Sequence, residues 1–282
     1  MIVVTAATGQ LGRLVIAELL KRTPAANIVA AVRNVSKAAD LAALGVQVRH
    51  ADYTEPASLA SAFAGAARVL LISSDTLGQR VAQHRNVIDA AVRAKVGLLA
   101  YTSILRADTS ELGLAGEHRE TEALVRASGL PFSLLRNGWY QENYTASLGA
   151  AVAHGVILGS ARQGRIAAAA RADYAAAAAE VLSMSAQAQA VYELAGESAF
   201  TLEELAAEVS RQSGKTVRYE DMPQQEYCQA LLGLGLPEGL SNLLADSDAC
   251  AARGALDGKG GVLSELIGRP TRTLAEAVRA AL

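Results

Sequence analysis

The fold of this 282-residue chain is decided by its opening stretch, Ile2-Val3-Val4-Thr5-Ala6-Ala7-Thr8-Gly9-Gln10-Leu11-Gly12. A short apolar run predicts a strand, and the residues after it predict a turn that leads into a helix. The helix is indicated by apolar residues spaced to share one helical face, namely Leu11, Leu14, Val15 and Leu19. The turn has the form A-x-x-G-x-x-G, so Gly9 and Gly12 stand where a G-x-x-G-x-x-G pattern has its second and third glycines.

This strand–turn–helix is typical of a dinucleotide-binding unit. Gly9 lets the backbone approach a pyrophosphate, and Gly12 lets the helix pack closely. Ala6 replaces the first glycine, and we expect its methyl group to be tolerated only at negative φ. The alternative interpretation of this segment is an ordinary tight turn between a strand and a helix.

Farther along the chain, short apolar runs alternate with amphipathic stretches. Strands are predicted at residues 2–4, 28–32, 46–49, 69–72, 98–102 and 132–135. This alternation predicts an α/β fold with a doubly wound parallel sheet. We expect residues 1–150 to form the nucleotide-binding Rossmann domain, with 190–196 returning to its sheet. Residues 151–282 are predicted to form a smaller, mainly helical domain that holds the substrate pocket. It includes an alanine-rich helix capped by Asp173 and a capping box at Thr201 and Glu204.

The end of the second strand indicates which nucleotide binds. A site specific for NAD usually has an acidic residue there, but this chain has Arg33. An arginine can pair with a 2′-phosphate, which favours NADPH over NADH, although a merely exposed arginine remains the alternative. Asp52 follows the third strand, either as a contact of the adenine amine or as a turn cap. Ser73 and Ser74 follow the fourth strand, where a ligand crosses the carboxyl edge of the sheet, although the plain start of a loop remains the alternative.

With these residues considered together, the chain resembles the NmrA-like family of atypical short-chain dehydrogenases, and within it the bacterial quinone oxidoreductases. The likeness covers nearly the whole chain. It rests on residues 5–12, 31–34, 70–74, 101–103, 134–144 and 170–174, and on the tail Leu266-Ile267-Gly268-Arg269-Pro270. Dye reductases of the same family share much of this pattern.

The resemblance implies a set of site residues. It implies that the pyrophosphate is bound at the turn by Thr8, Gly9, Gln10 and Leu11, and that the 2′-phosphate is bound by Arg33. Ser73 and Ser74 would border the ribose and diphosphate. Asn137 and Tyr140 would lie near the nicotinamide and the substrate, as the cofactor-orienting and acceptor-flanking residues of the reaction.

One departure bears on the chemistry. Typical short-chain dehydrogenases use a Tyr-x-x-x-Lys pair, but here Leu114 and His118 fill those positions. Alcohol–carbonyl interconversion and nucleotide-sugar epimerisation are therefore disfavoured, whereas hydride transfer to an electrophilic quinone, without flavin, tolerates the loss. The alternatives are a non-catalytic NADP(H) redox sensor and a reductase of another conjugated acceptor such as a dye. His118 is expected to pack and hydrogen-bond rather than donate a proton, and Tyr101 is expected to be buried.

Composition sets the remaining expectations. The net charge is −2 and hydrophobic residues make up 51% of the chain, which argues against a disordered protein and against a nucleic-acid partner. Only two cysteines are present, and the four histidines lack metal-ligand spacing, so we predict neither a disulfide framework nor a metal site. No signal peptide or membrane span is predicted. We expect a cytoplasmic protein with a small-molecule quinone as its partner, and a homodimer is a further expectation.

Overall fold

The computed structural model describes residues 1–185 and 190–282. The chain forms two compact units. Unit 1 comprises Met1–Ala107, Gly116–Asn137 and Arg171–Glu193. Unit 2 comprises Asp108–Ala115, Gly138–Ala170 and Leu194–Leu282. The chain therefore alternates between the two units.

The described ranges contain nine strands and thirteen α-helices. The strands are β1 (Ile2–Val4), β2 (Ile28–Val32), β3 (Gln47–His50), β4 (Arg68–Leu71), β5 (Leu98–Ile104), β6 (Phe132–Asn137), β7 (Val156–Gly159), β8 (Ala190–Leu194) and β9 (Arg218–Asp221). The first seven helices are α1 (Gln10–Leu19), α2 (Ala39–Ala43), α3 (Pro56–Ala62), α4 (Arg80–Ala94), α5 (Ala115–Ala127), α6 (Glu142–Thr145) and α7 (Leu148–His154). The others are α8 (Arg171–Ser183), α9 (Leu202–Ser213), α10 (Gln224–Gly233), α11 (Glu238–Ala251), α12 (Val262–Ile267) and α13 (Leu274–Ala281).

Unit 1 is built on a seven-stranded sheet in the order β3-β2-β1-β4-β5-β6-β8. The strands β1 to β6 pair in parallel, with Val3 opposite both Val29 and Val69. The strand order changes direction between β1 and β4, and ligands bind at this position in doubly wound sheets. The predicted doubly wound parallel sheet is confirmed.

The apolar composition of the strands follows from their burial. Every residue of β2 is buried, and so is nearly all of β5, because the sheet is covered by helices. The helices α1 and α8 pack against each other. The alanines 175–179 of α8 are buried, and their small side chains allow this close packing.

Local expectations differ from the structure at several points, including the start of α8 and the end of β6. Asp173 does not cap the alanine-rich helix, because α8 begins at Arg171 and Asp173 lies buried in its first turn. Strand β6 continues two residues beyond its predicted end, because its ladder with β5 extends to the pair Ile104–Asn137. Asn137 therefore ends the strand rather than following it.

Unit 2 contains a two-stranded parallel sheet of β7 and β9, and it is otherwise mainly helical. The capping box predicted at Thr201 is present: its side chain accepts from the Glu204 N–H, and the Glu204 carboxylate accepts from the Thr201 N–H. A second capping box starts α13 at Thr273 and Glu276.

Within residues 1–185 and 190–282, no helix combines the length and the apolar character that a membrane crossing demands.

Candidate functional site

The turn between β1 and α1 presents a helix N-terminus at the carboxyl edge of the sheet. Gly9 is the N-cap, with an extended backbone (φ −72°, ψ 168°), and α1 begins at Gln10. The N–H groups of the first helical turn have no partner inside the helix, and the helix dipole makes this end positive. The segment can therefore bind an anion, as a pyrophosphate-binding turn must.

The backbone of Ala6 contradicts the expectation of a negative φ, because its φ is +47°. The residue takes the left-handed conformation that the first glycine of the pattern normally provides. Its carbonyl accepts from the Gly9 N–H at 2.9 Å, and Ala7 N–H donates to Ala31 O at 3.3 Å. These bonds hold the strained conformation, which costs about 1–2 kcal/mol for a residue with a Cβ.

Gly12 is required by close packing of α1 against the same turn. A Cβ at this position would lie 2.6 Å from Ala6 O and 2.7 Å from Ala7 Cα. Both are backbone atoms, so the turn itself would have to move. Gly9 is less crowded, with its hypothetical Cβ 3.2 Å from Ala6 O.

A cavity of about 510 Å³ opens beside this turn, within unit 1. Its walls come from the loops at the carboxyl ends of β1, β2, β3 and β4. The predicted residues that line it are Thr8, Gly9, Gln10, Leu11, Arg33, Asp52, Ser73 and Ser74. The structure thus brings the residues of four separate predictions to one cavity.

Three cations line the cavity, and sequence reasoning identified only one of them. Arg33 lies exposed just after β2, and Arg13 and Lys37 are the others. Arg13 is held by Asp40 and by the Lys37 carbonyl O, to which it donates at 2.8 Å. Spacing carried a signal for Arg13, which stands one helical turn after the N-cap Gly9, but not for Lys37, because Arg33 lies outside the helical turn that contains Lys37.

Asp52 has a structural task as well as a place in the cavity wall. Its Oδ1 accepts from the N–H and the hydroxyl of Thr54, at 2.8 Å and 2.7 Å. Both bonds lower the pKa of the Asp52 carboxyl, and the bond from the Thr54 backbone N–H has the larger effect. Asp52 is therefore a turn cap with its charge retained beside the cavity, and the two predicted roles are compatible.

The loop after β4 forms the opposite wall. Ser73, Ser74, Asp75 and Thr76 line the cavity, as does Gln83 of α4. The Gln83 side chain was missed by sequence reasoning; its Oε1 accepts from the Ser74 hydroxyl at 2.5 Å.

The remaining two predicted site residues belong to different units. Asn137 is the last residue of β6 in unit 1 and is 6% exposed. Its Oδ1 is buried and has no hydrogen-bond partner anywhere in residues 1–185 or 190–282. Tyr140 belongs to unit 2, where it is half-buried and its backbone bridges to Ala169.

The segment after Tyr140 holds two further buried polar atoms. Gln141 Oε1 and Tyr144 Oη have no hydrogen-bond partner within the part of the chain that the structure describes. The Tyr144 ring packs edge-on against Phe200 at a centroid distance of 5.7 Å. Sequence reasoning assigned no role to either side chain.

The comparison with family models settles the family. Residues 1–269 match the model of the NmrA-like family. The chain belongs to the NmrA-like family.

Similar proteins of known structure and name cover the whole chain. The chain is 56% identical to quinone oxidoreductase 2 of Escherichia coli (strain K12), over 99% of this chain and 97% of that protein. A crystal structure of an NADPH-dependent quinone oxidoreductase from Escherichia coli, complexed with NADPH, matches with a TM-score of 0.97 at 56% identity, over 99% of both chains. The NADP(H) complex of a Citrobacter sp. triphenylmethane reductase matches with a TM-score of 0.97 at 38% identity, over 100% of both chains.

In this NmrA-like chain, His118 stands where typical short-chain dehydrogenases have their catalytic lysine, and it is buried. His118 is 3% exposed, and its Nδ1 lies 2.7 Å from the hydroxyl of Tyr101, which is fully buried. Burial, aided by the charge of Arg80, lowers the pKa of His118 well below its usual value. The imidazole is therefore neutral, and the packing and hydrogen bonding expected of His118 are present, as is the burial expected of Tyr101.

Proposed function

We propose that this protein is an NADPH-dependent quinone oxidoreductase, which reduces a quinone to a quinol by direct two-electron transfer without flavin. One observation carries the proposal. This chain, 56% identical to the Escherichia coli enzyme whose structure was determined with NADPH, has a suitable cavity. The walls of that cavity include an anion-binding helix N-terminus and Arg33. The charge and the position of these groups are those that a phosphorylated dinucleotide needs.

The cofactor contacts are assigned by chemistry. The N–H groups at the start of α1 would bind the pyrophosphate, and Arg33 would pair with the 2′-phosphate. The residues proposed for the pyrophosphate are Thr8, Gly9, Gln10 and Leu11, and those for the ribose and diphosphate are Ser73 and Ser74. Lys37 and Arg13 add positive charge at the same end of the cavity.

Asn137 fits a nicotinamide in one respect that the structure shows. Its buried Oδ1 lacks a partner among the described residues, and a buried acceptor without a donor is costly. A carboxamide N–H of the nicotinamide would satisfy it and fix the orientation of the ring. When bound, the cofactor would supply the hydride, that is, a proton with an electron pair.

Tyr140 is proposed to flank the flat acceptor, and the buried hydroxyl of Tyr144 lies in the same segment of unit 2. Quinone, hydride and one proton combine to form the quinol. Neither Tyr101 nor His118 supplies that proton, because both are buried and bonded to each other. Water supplies the proton in this proposal, since the reduced quinone oxygen is readily protonated.

A second candidate is the reduction of a conjugated dye. The observation that favours it is the similarity, at 38% identity and with a TM-score of 0.97, to a triphenylmethane reductase. A hydride site that accepts an electrophilic quinone also suits a conjugated cationic dye, whose central carbon is electrophilic. The two acceptors would compete for one site.

The test is NADPH oxidation, followed by absorbance, with a simple benzoquinone as the acceptor. We expect steady turnover above the uncatalysed rate, and competitive inhibition by a triphenylmethane dye. Bound NADPH without turnover would instead support the redox-sensor alternative, in which NADP⁺ and NADPH differ in affinity because they favour different conformations. A homodimer, the absence of a nucleic-acid partner and a cytoplasmic location remain proposals, testable by sedimentation, by nucleic-acid titration and by cell fractionation.

A further inference from the structure

Two side chains of α4 bind both backbone polar groups of Ser74. His84 Nε2 accepts from the Ser74 N–H at 2.9 Å, and Arg80 Nε donates to the Ser74 carbonyl O at 2.7 Å. Arg80 and His84 are four residues apart, so they lie on the same face of the helix. Because Ser74 lines the cavity, this face of α4 determines the position of the cavity wall.

A third bond comes from the sheet. The Ser73 N–H donates to Thr102 Oγ1, on β5, at 2.9 Å. Buried backbone groups of a loop need partners from elsewhere in the fold, because the loop has no ladder of its own. Three backbone groups at Ser73 and Ser74 are thus held by side chains of α4 and β5, from outside the loop.

The donors around His84 fix its tautomer. The Ser74 N–H can only donate, so Nε2 carries the lone pair and the proton is on Nδ1. Nδ1 lies 3.0 Å from Thr121 Oγ1, whose own hydroxyl donates to Glu117 O at 2.8 Å. Burial, together with the charge of Arg80, lowers the pKa of His84 to about 3, so the ring is neutral at physiological pH.

Arg80 occupies an unfavourable position for a cation. It is the first residue of α4, where the helix dipole is positive, and it is only 6% exposed. Its other partner is Glu117, at 3.2 Å. The Glu117 carboxylate compensates the buried charge, and the Arg80 Nε–H group binds the Ser74 carbonyl.

We propose that His84 is a positioning residue of the cofactor site, which holds Ser74 in the cavity wall through its neutral Nε2. Arg80 supports the same residue from the carbonyl side. The inference rests on the proposed function, since the Ser73–Ser74 wall is assigned to the ribose and diphosphate of NADPH. His84 touches neither cofactor nor acceptor in this proposal.

The test compares variants of the two buried histidines in the full-length protein. His84→Phe keeps a ring in contact with Tyr101 but removes the acceptor, whereas His84→Gln keeps an acceptor that reaches Ser74. His84→Asn is a milder substitution than His84→Phe because it keeps a polar side chain, but that side chain is too short to reach Ser74. His118→Phe is the matched control, because His118 is equally buried and bonds to Tyr101 rather than to the cavity wall.

The measured quantities are the Kd for NADPH, the KM for a benzoquinone at saturating NADPH, and the free energy of unfolding. We expect His84→Phe and His84→Asn to weaken NADPH binding about tenfold, with the KM for the quinone unchanged. His84→Gln should restore most of the affinity. His118→Phe should lose stability with no change in NADPH affinity. The inference is overturned if the variants of both histidines weaken NADPH binding equally. It is also overturned if neither His84→Phe nor His84→Asn weakens NADPH binding.

A spectroscopic readout tests the geometry in the unmodified protein without nucleotide. Long-range ¹H–¹⁵N correlation of the imidazoles should show His84 as the Nδ1–H tautomer. An Nε2–H tautomer, which cannot accept from Ser74, overturns the inference even if every variant fails to fold. Failure of the unmodified protein to bind NADPH overturns the proposed function and this inference with it, whereas binding that no His84 variant alters overturns the inference alone.

Discussion

Two walls of the cavity follow neighbouring strands, and they are built in different ways. The wall after β1 is a tight turn held by backbone bonds, within the turn from Gly9 N–H to Ala6 O and to the neighbouring strand from Ala7 N–H to Ala31 O, with close contact at Gly12. The wall after β4 is a longer loop held by side chains of α4 and β5. The first wall therefore depends on local backbone geometry, and the second depends on buried polar groups that the rest of unit 1 brings to it.

This difference shows when a sequence motif is sufficient to identify the wall of a binding cavity. A turn whose shape depends on backbone conformation and close packing carries its pattern in consecutive residues, so Gly9 and Gly12 can be recognised directly. A loop that is held from a distance has no such pattern, and its supports are ordinary residues until the fold is known. Substitutions in the first wall should act sterically, whereas those in the second should depend on hydrogen bonding and pH.

Gly12→Ala should have the largest effect of the substitutions considered. The added methyl group meets backbone atoms at 2.6 Å and 2.7 Å, so the turn must shift. We expect a loss of about 3 kcal/mol in the free energy of unfolding, the upper end for overpacking, and more than about 100-fold weaker NADPH binding. Urea unfolding and a fluorescence titration measure the two quantities.

The control is Gly149→Ala, in helix α7, where an added Cβ meets nothing within 4 Å. It should leave NADPH affinity unchanged and stabilise the protein by about 0.5–1 kcal/mol. Similar losses in the two variants would show that crowding against the turn is unimportant.

Arg33→Glu should come next, with a loss confined to NADPH. It replaces the proposed 2′-phosphate partner with a like charge, so we expect about 100-fold weaker NADPH binding and only a slight change for NADH. Arg93→Glu is the charge-matched control, because Arg93 is exposed in the last turn of α4, away from the cavity. An equal loss for both nucleotides would mean that Arg33 does not contact the 2′-phosphate.

The second wall should respond to pH through His84. Its pKa is about 3 in the folded state and about 6.5 when unfolded, so below pH 6.5 the unfolded chain binds a proton that the folded protein does not. The stability contribution of this neutral imidazole is therefore complete above pH 6.5 and is lost as the pH falls toward 3. Relative to His84→Gln, the unmodified protein should lose about 2 kcal/mol between pH 7 and pH 5.

Urea unfolding of both proteins at several pH values measures this difference. Asp248, whose pKa is raised to about 6 by burial, titrates in both proteins and cancels from the comparison. A difference that stays constant from pH 7 to pH 5 would contradict a neutral His84.

Ala6→Gly should have the smallest effect, and it should be stabilising. Glycine removes the strain of the left-handed conformation, about 1–2 kcal/mol. It also makes the unfolded chain more flexible, which lowers the free energy of unfolding by up to about 1 kcal/mol. The net effect is an increase of about 0.5 kcal/mol in the free energy of unfolding. Ala7→Gly should instead destabilise, because Ala7 is buried and its φ is not positive. A destabilising Ala6→Gly would show that the turn is not strained.

Sequence reasoning predicted the features that depend on local pattern. It placed β2 at Ile28–Val32 and the capping box at Thr201 and Glu204, both as the structure has them. It was wrong about the φ of Ala6, because the rule that reserves positive φ for glycine is a preference that hydrogen bonds of the turn can override.

The other misses have a common physical cause. The partners of His84 are a backbone N–H ten residues before it and a hydroxyl 37 residues after it, and no spacing rule connects such positions. The sequence alone predicts no role for His84 at the cofactor site, because its contacts exist only in the folded unit. Arg13 is different, since it stands one helical turn after Gly9 and this spacing made it predictable. Lys37 lies in the loop region after β2, and no spacing rule connects it to Arg33.

The central claim is that the cavity of unit 1 binds NADPH across both walls. A crystal structure of the complex tests it most directly. We predict the pyrophosphate at the N–H groups that start α1, the 2′-phosphate on Arg33, and Ser73 and Ser74 against the opposite side of the cofactor. A nucleotide bound elsewhere, or bound in this cavity with its 2′-phosphate remote from Arg33, would contradict the account.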